Sequence, residues 1–167
     1  MNAPITIVLI LVLVVIGQAY VIWRLWRRTH RTALGLDELA EDTLKELYHL
    51  SRQQAQVYRS HLVRAAGLQP ERLPFVLADL ARRGWAQVDS QSIHILPSGE
   101  KRAIELIRAH RLWERYLADK EGLALDALHV EATRREHTTS VEEANRLEAV
   151  LGFPQFDPHG DPIPALG

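Results

Sequence analysis

The 167-residue chain contains no cysteine, which removes disulfides, thiolate metal sites and cysteine nucleophiles at once. Charge is unevenly missing as well. Residues 1–23 carry no charged side chain, and residues 1–35 carry four arginines and no acid. Beyond that the balance tips slightly acidic: seven basic against nine acidic side chains over 36–100, and nine against twelve over 101–167. No part after the apolar start has the strongly basic balance that by itself announces nucleic-acid binding. No nucleophile or general base stands beside a clearly open coordination position, so a metal-dependent hydrolase lacks its parts and the chain reads as a non-enzyme. The length allows one ordinary domain or two small ones.

The charge-free start has its own meaning. Ile5 to Trp23 is a run of nineteen residues, about 28 Å as a helix, enough to cross a bilayer core. Tyr20, Trp23 and Trp26 fall where an aromatic belt lies, and Arg24, Arg27, Arg28 and Arg31 follow. The positive-inside rule then places the N-terminus outside and everything after Arg24 in the cytoplasm. A cleaved signal peptide wants a basic segment before its apolar run, and there is none. The expectation is a single-pass anchor over residues 1–28 in the inner (cytoplasmic) membrane.

After a connector at 29–36, Asp37 opens a helix with Leu39, Thr43, Leu47 and Leu50 on its buried face and acids in its first turn. A second helix near Tyr58 to Ala66 stops at Gly67. A third runs from Pro70 to Arg83, with Leu73, Val76, Leu77 and Leu80 as core. W-A-Q-V, a D-S-Q turn and S-I-H-I-L then alternate as a hairpin. Three helices followed by a hairpin is the order of a winged helix-turn-helix. A fourth helix starts near Ser98, read as its N-cap. Gly122 ends it, and Asp126 is placed to cap the next.

Those last two helices carry metal-ligand chemistry. His110 and Glu114 are four apart and share a helix face. His129, Thr133, Glu136 and His137 follow at i, i+4, i+7 and i+8, again one stripe. Such a stripe is normally apolar, and imidazoles with a carboxylate are expensive to bury without a partner. Nitrogen and oxygen ligands of this kind suit a divalent transition metal. The alternative is a solvated face with scattered charges.

The runs A-H-R-L-W-E-R-Y-L, L-H-V-E-A-T-R-R-E-H and F-D-P-H-G-D-P-I-P resemble the metal-binding and dimerisation domain of the iron-dependent repressors, the diphtheria toxin repressor and manganese transport regulator family. The resemblance is specific over about 96–164, weaker over 37–95, and does not reach 1–36. It implies a mainly α chain: a winged helix-turn-helix over 37–97, then an all-helical metal-binding and dimerisation domain over 98–167. It implies that His110, Glu114 and His129 match one metal site, that Glu136 and His137 match the second, and that Asp42 joins them from the first winged-helix helix. Thr133 stands where iron-type members carry Cys and manganese-type members carry Glu. The ligand set contains no sulfur, which suits Mn(II) or Fe(II). Lys45 stands one turn beyond Asp42, where manganese-type members have an acid. His159 reads as a turn residue rather than a ligand.

In the family the third helix reads DNA, and its exposed start carries small polar residues. The matching stretch is P-E-R-L-P-F-V-L, and neither Pro74 nor Phe75 can read a base edge. Arg72, Arg82 and Arg83 could hold phosphates, with Glu71 and Asp79 between them. Two functions follow from the resemblance. One is a membrane-anchored, metal-dependent transcriptional regulator that binds DNA as a homodimer. The other is a membrane-tethered metal sensor or adaptor that has lost specific DNA binding and acts on a partner such as a metal transporter. Leu106, Trp113, Leu117, Leu147 and Leu151 are too many large apolar residues for a lone two-helix surface, and they point to the dimer contact.

Overall fold

The computed structural model describes residue 16, residues 18–22 and residues 35–165. The chain divides into two compact units, Met1–Asp37 and Glu38–Gly167. In the first unit, residues 18–22 are helical, and Ile16, Tyr20, Val21 and Ile22 are exposed. Among the described residues no helix is long and apolar enough to cross a membrane. The anchor expected over residues 5–23 lies for the most part outside them.

The second unit begins within a helix over residues 35–53, termed α1. Ala40, Leu44 and Leu47 recur at helical spacing and are fully buried. Thr43 is buried among them and donates its hydroxyl to the Leu39 carbonyl at 2.7 Å, so the core holds no unpaired oxygen at that point. Helix α2 is Arg59–Ala65, a 3-10 turn covers Pro70–Arg72, and α3 is Leu73–Arg82. The single third helix expected from Pro70 is thus two elements. Pro74 lies in the first turn of α3, where its missing N–H costs nothing. Leu73, Val76, Leu77 and Leu80 face the core.

Strands β2 (Ala86–Val88) and β3 (Ser92–Ile95) pair antiparallel, with Gln87 opposite His94. A third strand, β1 (Val57–Tyr58), pairs with the other edge of β3, with Val57 opposite Ile93. Two residues are too short to show alternation, which is why the sequence suggested only a hairpin. Leu44, Leu47, Val57, Leu62, Val76, Leu80 and Ile93 make one core, and Ala103 of the following helix joins it.

That helix, α4, runs Pro97–Glu121 and stops at Gly122, whose φ of 66° suits a residue without a Cβ. Its cap is Leu96 rather than Ser98. The Ser98 hydroxyl donates to the Gly84 carbonyl and so ties α4 to the turn after α3. Helices α5 (Leu125–Glu136) and α6 (Val141–Val150) pack on α4. Ala124, not Asp126, caps α5, and Asp126 sits in the first turn. Ser140 caps α6 by accepting the Glu143 N–H at 3.1 Å.

Helix α6 changes the account of the apolar residues. Leu106, Leu117 and Leu147 are buried within this one chain, and Trp113 and Leu151 pack against its cores. Leu147 and Leu151 pack with Leu112 and Trp113 of α4, while Leu117 packs with Leu128 and Ala132 of α5, so much of this apolar surface is covered within the chain. Among the described residues of this part, the large apolar ones left exposed are Leu125, Val130, Val150, Phe153 and Phe156.

Candidate metal centre and reading head

The i, i+4 pair on α4 and the stripe on α5 face one another across the Gly122 turn. His110 lies between two carboxylates: its Nε2 is 3.0 Å from Glu114 Oε1, and its Nδ1 is 2.6 Å from Glu136 Oε2. His129 Nδ1 is 3.5 Å from the same Glu114 oxygen, although its side chain is 73% exposed. The His110 and His129 rings meet edge-to-face with centroids 4.8 Å apart. His110, Glu114 and His129 thus offer ligand atoms all within 4.8 Å of one another.

A second group forms from Asp42 on α1 with Glu136 and His137 at the end of α5, again within 4.8 Å. His137 Nε2 is 3.5 Å from Asp42 Oδ1 and 3.5 Å from Glu136 Oε1. Its other nitrogen is 2.7 Å from Glu41 Oε2. Glu41 in turn accepts Arg102 at 2.6 Å. Lys45 lies 3.0 Å from Asp42 and is hydrogen bonded to Glu136. Thr133 lines a cleft of about 280 Å³ with Asp42, Lys45 and His129.

His159, read as a turn residue, comes to 3.4 Å from Glu114 Oε2. The tail places it there. Asp157 is buried and accepts the N–H groups of His159 and Asp161 at 2.8 and 2.9 Å, closing a tight turn. Glu114, Asp157 and His159 form a third cluster of possible ligands, although Asp157 already serves its own turn. A cleft of about 390 Å³ opens over Glu114 and is lined by His110, His129, His159 and Lys45. Neither Glu41 nor His159 stood out in the sequence. The partner of Glu41 lies 96 residues away, and His159 has no companion at helical spacing. The D-P-H-G-D turn was the one available signal.

Electrostatics bind these groups together. Burial opposes a charged imidazole, but the carboxylates of Glu114 and Glu136 outweigh it and push His110 up to about 9. His137 is pushed up to about 9 as well, with burial outweighed by Asp42, Glu41 and Glu136. Burial would raise Glu41, Asp42 and Glu114, yet their histidine, arginine and lysine partners hold all three below the usual carboxylate range. Burial would lower Lys45, but Glu136 and Asp42 hold it above its ordinary value. Glu136 is fully buried and Glu114 nearly so. Buried carboxylates persist only beside cations, and imidazole with carboxylate is the donor set of borderline divalent metals. The residues present therefore fit such an ion.

The third helix presents a different surface. Phe75 is 68% exposed. Arg72 is exposed, whereas Arg82 and Arg83 both pair with Asp79, Arg83 Nε at 2.7 Å from it. Arg83 also stacks over Trp85, 4.8 Å from the ring centroid.

Fold and clusters together define a winged helix joined to a helical domain that gathers carboxylates and imidazoles. Residues 96–165 match the family described as iron dependent repressor, metal binding and dimerisation domain. The diphtheria toxin repressor of Corynebacterium glutamicum is 33% identical over 133 residues, 79% of this chain and 58% of that protein. A solved manganese-dependent transcriptional repressor in complex with manganese is 34% identical, with a TM-score of 0.66 over 75% of this chain and 58% of that one. A probable metal transport system membrane protein of Chlamydia trachomatis is 33% identical over 85 residues, 51% of this chain and 19% of that protein. The chain is thus similar to the iron-dependent repressors, most specifically over residues 96–165. It spans about three-fifths of the length of the repressors it matches.

Proposed function

We propose that this chain is a metal-dependent transcriptional regulator that takes Mn(II) or Fe(II), acts as a homodimer and is held at the membrane by residues 5–23. The observation that carries the reading is the His110/Glu114/His129 group, which gathers ligand atoms from α4 and α5 within 4.8 Å of one another. His110, Glu114 and His129 would hold a cation on one side of Glu136, with His159 at the other oxygen of Glu114. Asp42, Glu136 and His137, with Thr133 beside them, form the second candidate group. A bound divalent cation supplies fixed positive charge to carboxylates that are otherwise balanced by imidazolium and ammonium. Ligands drawn from two helices then favour one relative arrangement of those helices, which is how a site shifts a population.

Arg72, Arg82 and Arg83 are the phosphate-contacting candidates. The exposed Leu125, Val130, Val150, Phe153 and Phe156 offer the apolar area a second subunit would cover. Support for the anchor comes from the apolar run itself and from the exposed Ile16, Tyr20, Val21 and Ile22. The proposed domain division is an anchor over 1–28, a winged helix over 37–97 and a metal-binding domain over 98–167.

A gel-shift selection from fragmented genomic DNA, with Mn(II) or with chelator, tests the function. Metal-dependent retention of particular fragments is the expected result; retention that ignores metal refutes it. A high-salt wash of the membrane fraction tests the anchor, because screening cannot release about nineteen apolar residues. Full-length chain in the wash would refute the anchor alone.

The second reading, a tethered metal sensor acting on a partner protein, is favoured by Phe75 standing exposed at the start of α3 and by the pairing of Arg82 and Arg83 with Asp79. The likeness to a metal transport system membrane protein points the same way. Mn(II) binding without retention of any DNA fragment decides for it.

A further inference from the structure

Lys45 stands one helical turn after Asp42, and its ammonium is placed where a cation of the second group would go. Its Nζ lies 3.0 Å from Asp42 Oδ1 and donates to Glu136 Oε1. These are the two oxygens that His137 Nε2 also approaches, each at 3.5 Å. The lysine side chain is 17% exposed and that of Glu136 is fully buried, so the pair is shielded from water. A compact ammonium with three donors can satisfy two carboxylates from inside. The group around Glu114 differs. Among the described residues its close ionic partners are the histidines His110, His129 and His159, with no lysine or arginine.

We propose that Lys45 is a resident cation standing in for a metal ion at Asp42/Glu136/His137. The chain then binds one divalent ion per subunit, at the Glu114 group, while the ammonium closes the second group permanently. This rests on the metal-binding reading above and narrows it. It has a structural consequence. Helix α1 is joined to α5 by Lys45 and Glu136 whether or not metal is present, so only the Glu114 group is left to respond to metal. A divalent ion placed among Asp42, Glu136 and His137 would face an ammonium bonded to two of its three ligands. Like charges at that distance exclude one another in a buried site.

The test counts ions. Full-length chain is titrated with Mn(II) by calorimetry, and the bound metal is examined by electron paramagnetic resonance. Wild type, Lys45→Gln, Lys45→Met and His110→Ala are compared. The expected result is one ion per chain in wild type, weakened at least tenfold in His110→Ala. Both lysine variants should bind two ions, with the spectral broadening of two nearby Mn(II) centres. Two ions in wild type overturn the inference and leave the metal-binding reading standing. One ion in every folded lysine variant also overturns it. Should both lysine variants fail to fold, the wild-type count and the His110→Ala loss decide the matter. A wild-type chain that binds no Mn(II) overturns the metal-binding reading and this inference with it.

Discussion

Raising the pH from 6.5 to 9 in the presence of a chelator removes protons that the fold has gathered. His110 is held at about 9 against an ordinary 6.5. A group whose pKa is raised by folding stabilises fully below its unfolded value, and that stability is lost as the pH climbs through the folded value. The window for His110 is therefore pH 6.5 to 9. A rise of this size corresponds to roughly 3 kcal/mol at 1.36 kcal/mol per unit, and the side chain is only 14% exposed. His137 is held equally high. It leans partly on the same Glu136 carboxylate, so the two contributions overlap rather than add. A loss of about 3 kcal/mol lowers the melting midpoint by roughly 6–12 °C in a chain of this length. At the acid end the sign reverses. Glu41, Asp42 and Glu114 are held low, so their contribution is present above the ordinary carboxylate range and is lost as pH falls below it. The metal-free chain is thus expected to be most stable between about pH 5 and 6.5. Thermal unfolding followed by circular dichroism at half-unit pH steps reads this directly, with His110→Gln as control. A midpoint that stays flat or rises between pH 6.5 and 9 would show that His110 does not hold its proton between Glu114 and Glu136.

Three further outcomes are expected. Asp79→Ala removes the carboxylate shared by Arg82 and Arg83, and should steepen the salt dependence of DNA binding by up to about two units of log–log slope; an unchanged slope means this end of α3 touches no phosphate. Gly99→Ala would put a Cβ 2.1 Å from the Trp85 carbonyl oxygen, so denaturant melts should show a loss of about 1–3 kcal/mol, and a neutral substitution would refute the close approach of α4 to that turn. His129→Ala and His159→Ala should each weaken Mn(II) binding about tenfold or more, since both rings stand about equally near Glu114; an unaffected His159→Ala returns that residue to a turn role.

The parts of the molecule legible in the sequence are those set by local spacing. Gly122 had to end α4, and the period of Leu73, Val76, Leu77 and Leu80 had to face a core. His110 and Glu114 had to share a face. What escaped depends on distance along the chain. Strand β1 exists because β3 offers it an edge, and Val57 and Tyr58 alone carry no pattern. Ser98 has the chemistry of a cap, but Gly84 competes for its hydroxyl. Leu147 looked like surface for a partner because nothing local indicates that α6 folds back over α4. Glu41 looked like one more acid in a first turn, yet it links His137 to Arg102.

That last link bears on how the clusters are charged. His110 and His137 touch four carboxylates: Glu41, Asp42, Glu114 and Glu136. The permanent cations on those same carboxylates are two, Lys45 and Arg102. Four negative charges against two positive leave a deficit of two, and in the metal-free chain two imidazolium ions supply it. One divalent ion supplies the same amount. Held in a buried network where an unbalanced charge is costly, the carboxylates are satisfied by two protons on His110 and His137 or by a single doubly charged ion. Lys45 matters to this count. Were position 45 an acid, the deficit would be four, and a second divalent ion would be needed to close it. With lysine there, one ion is enough.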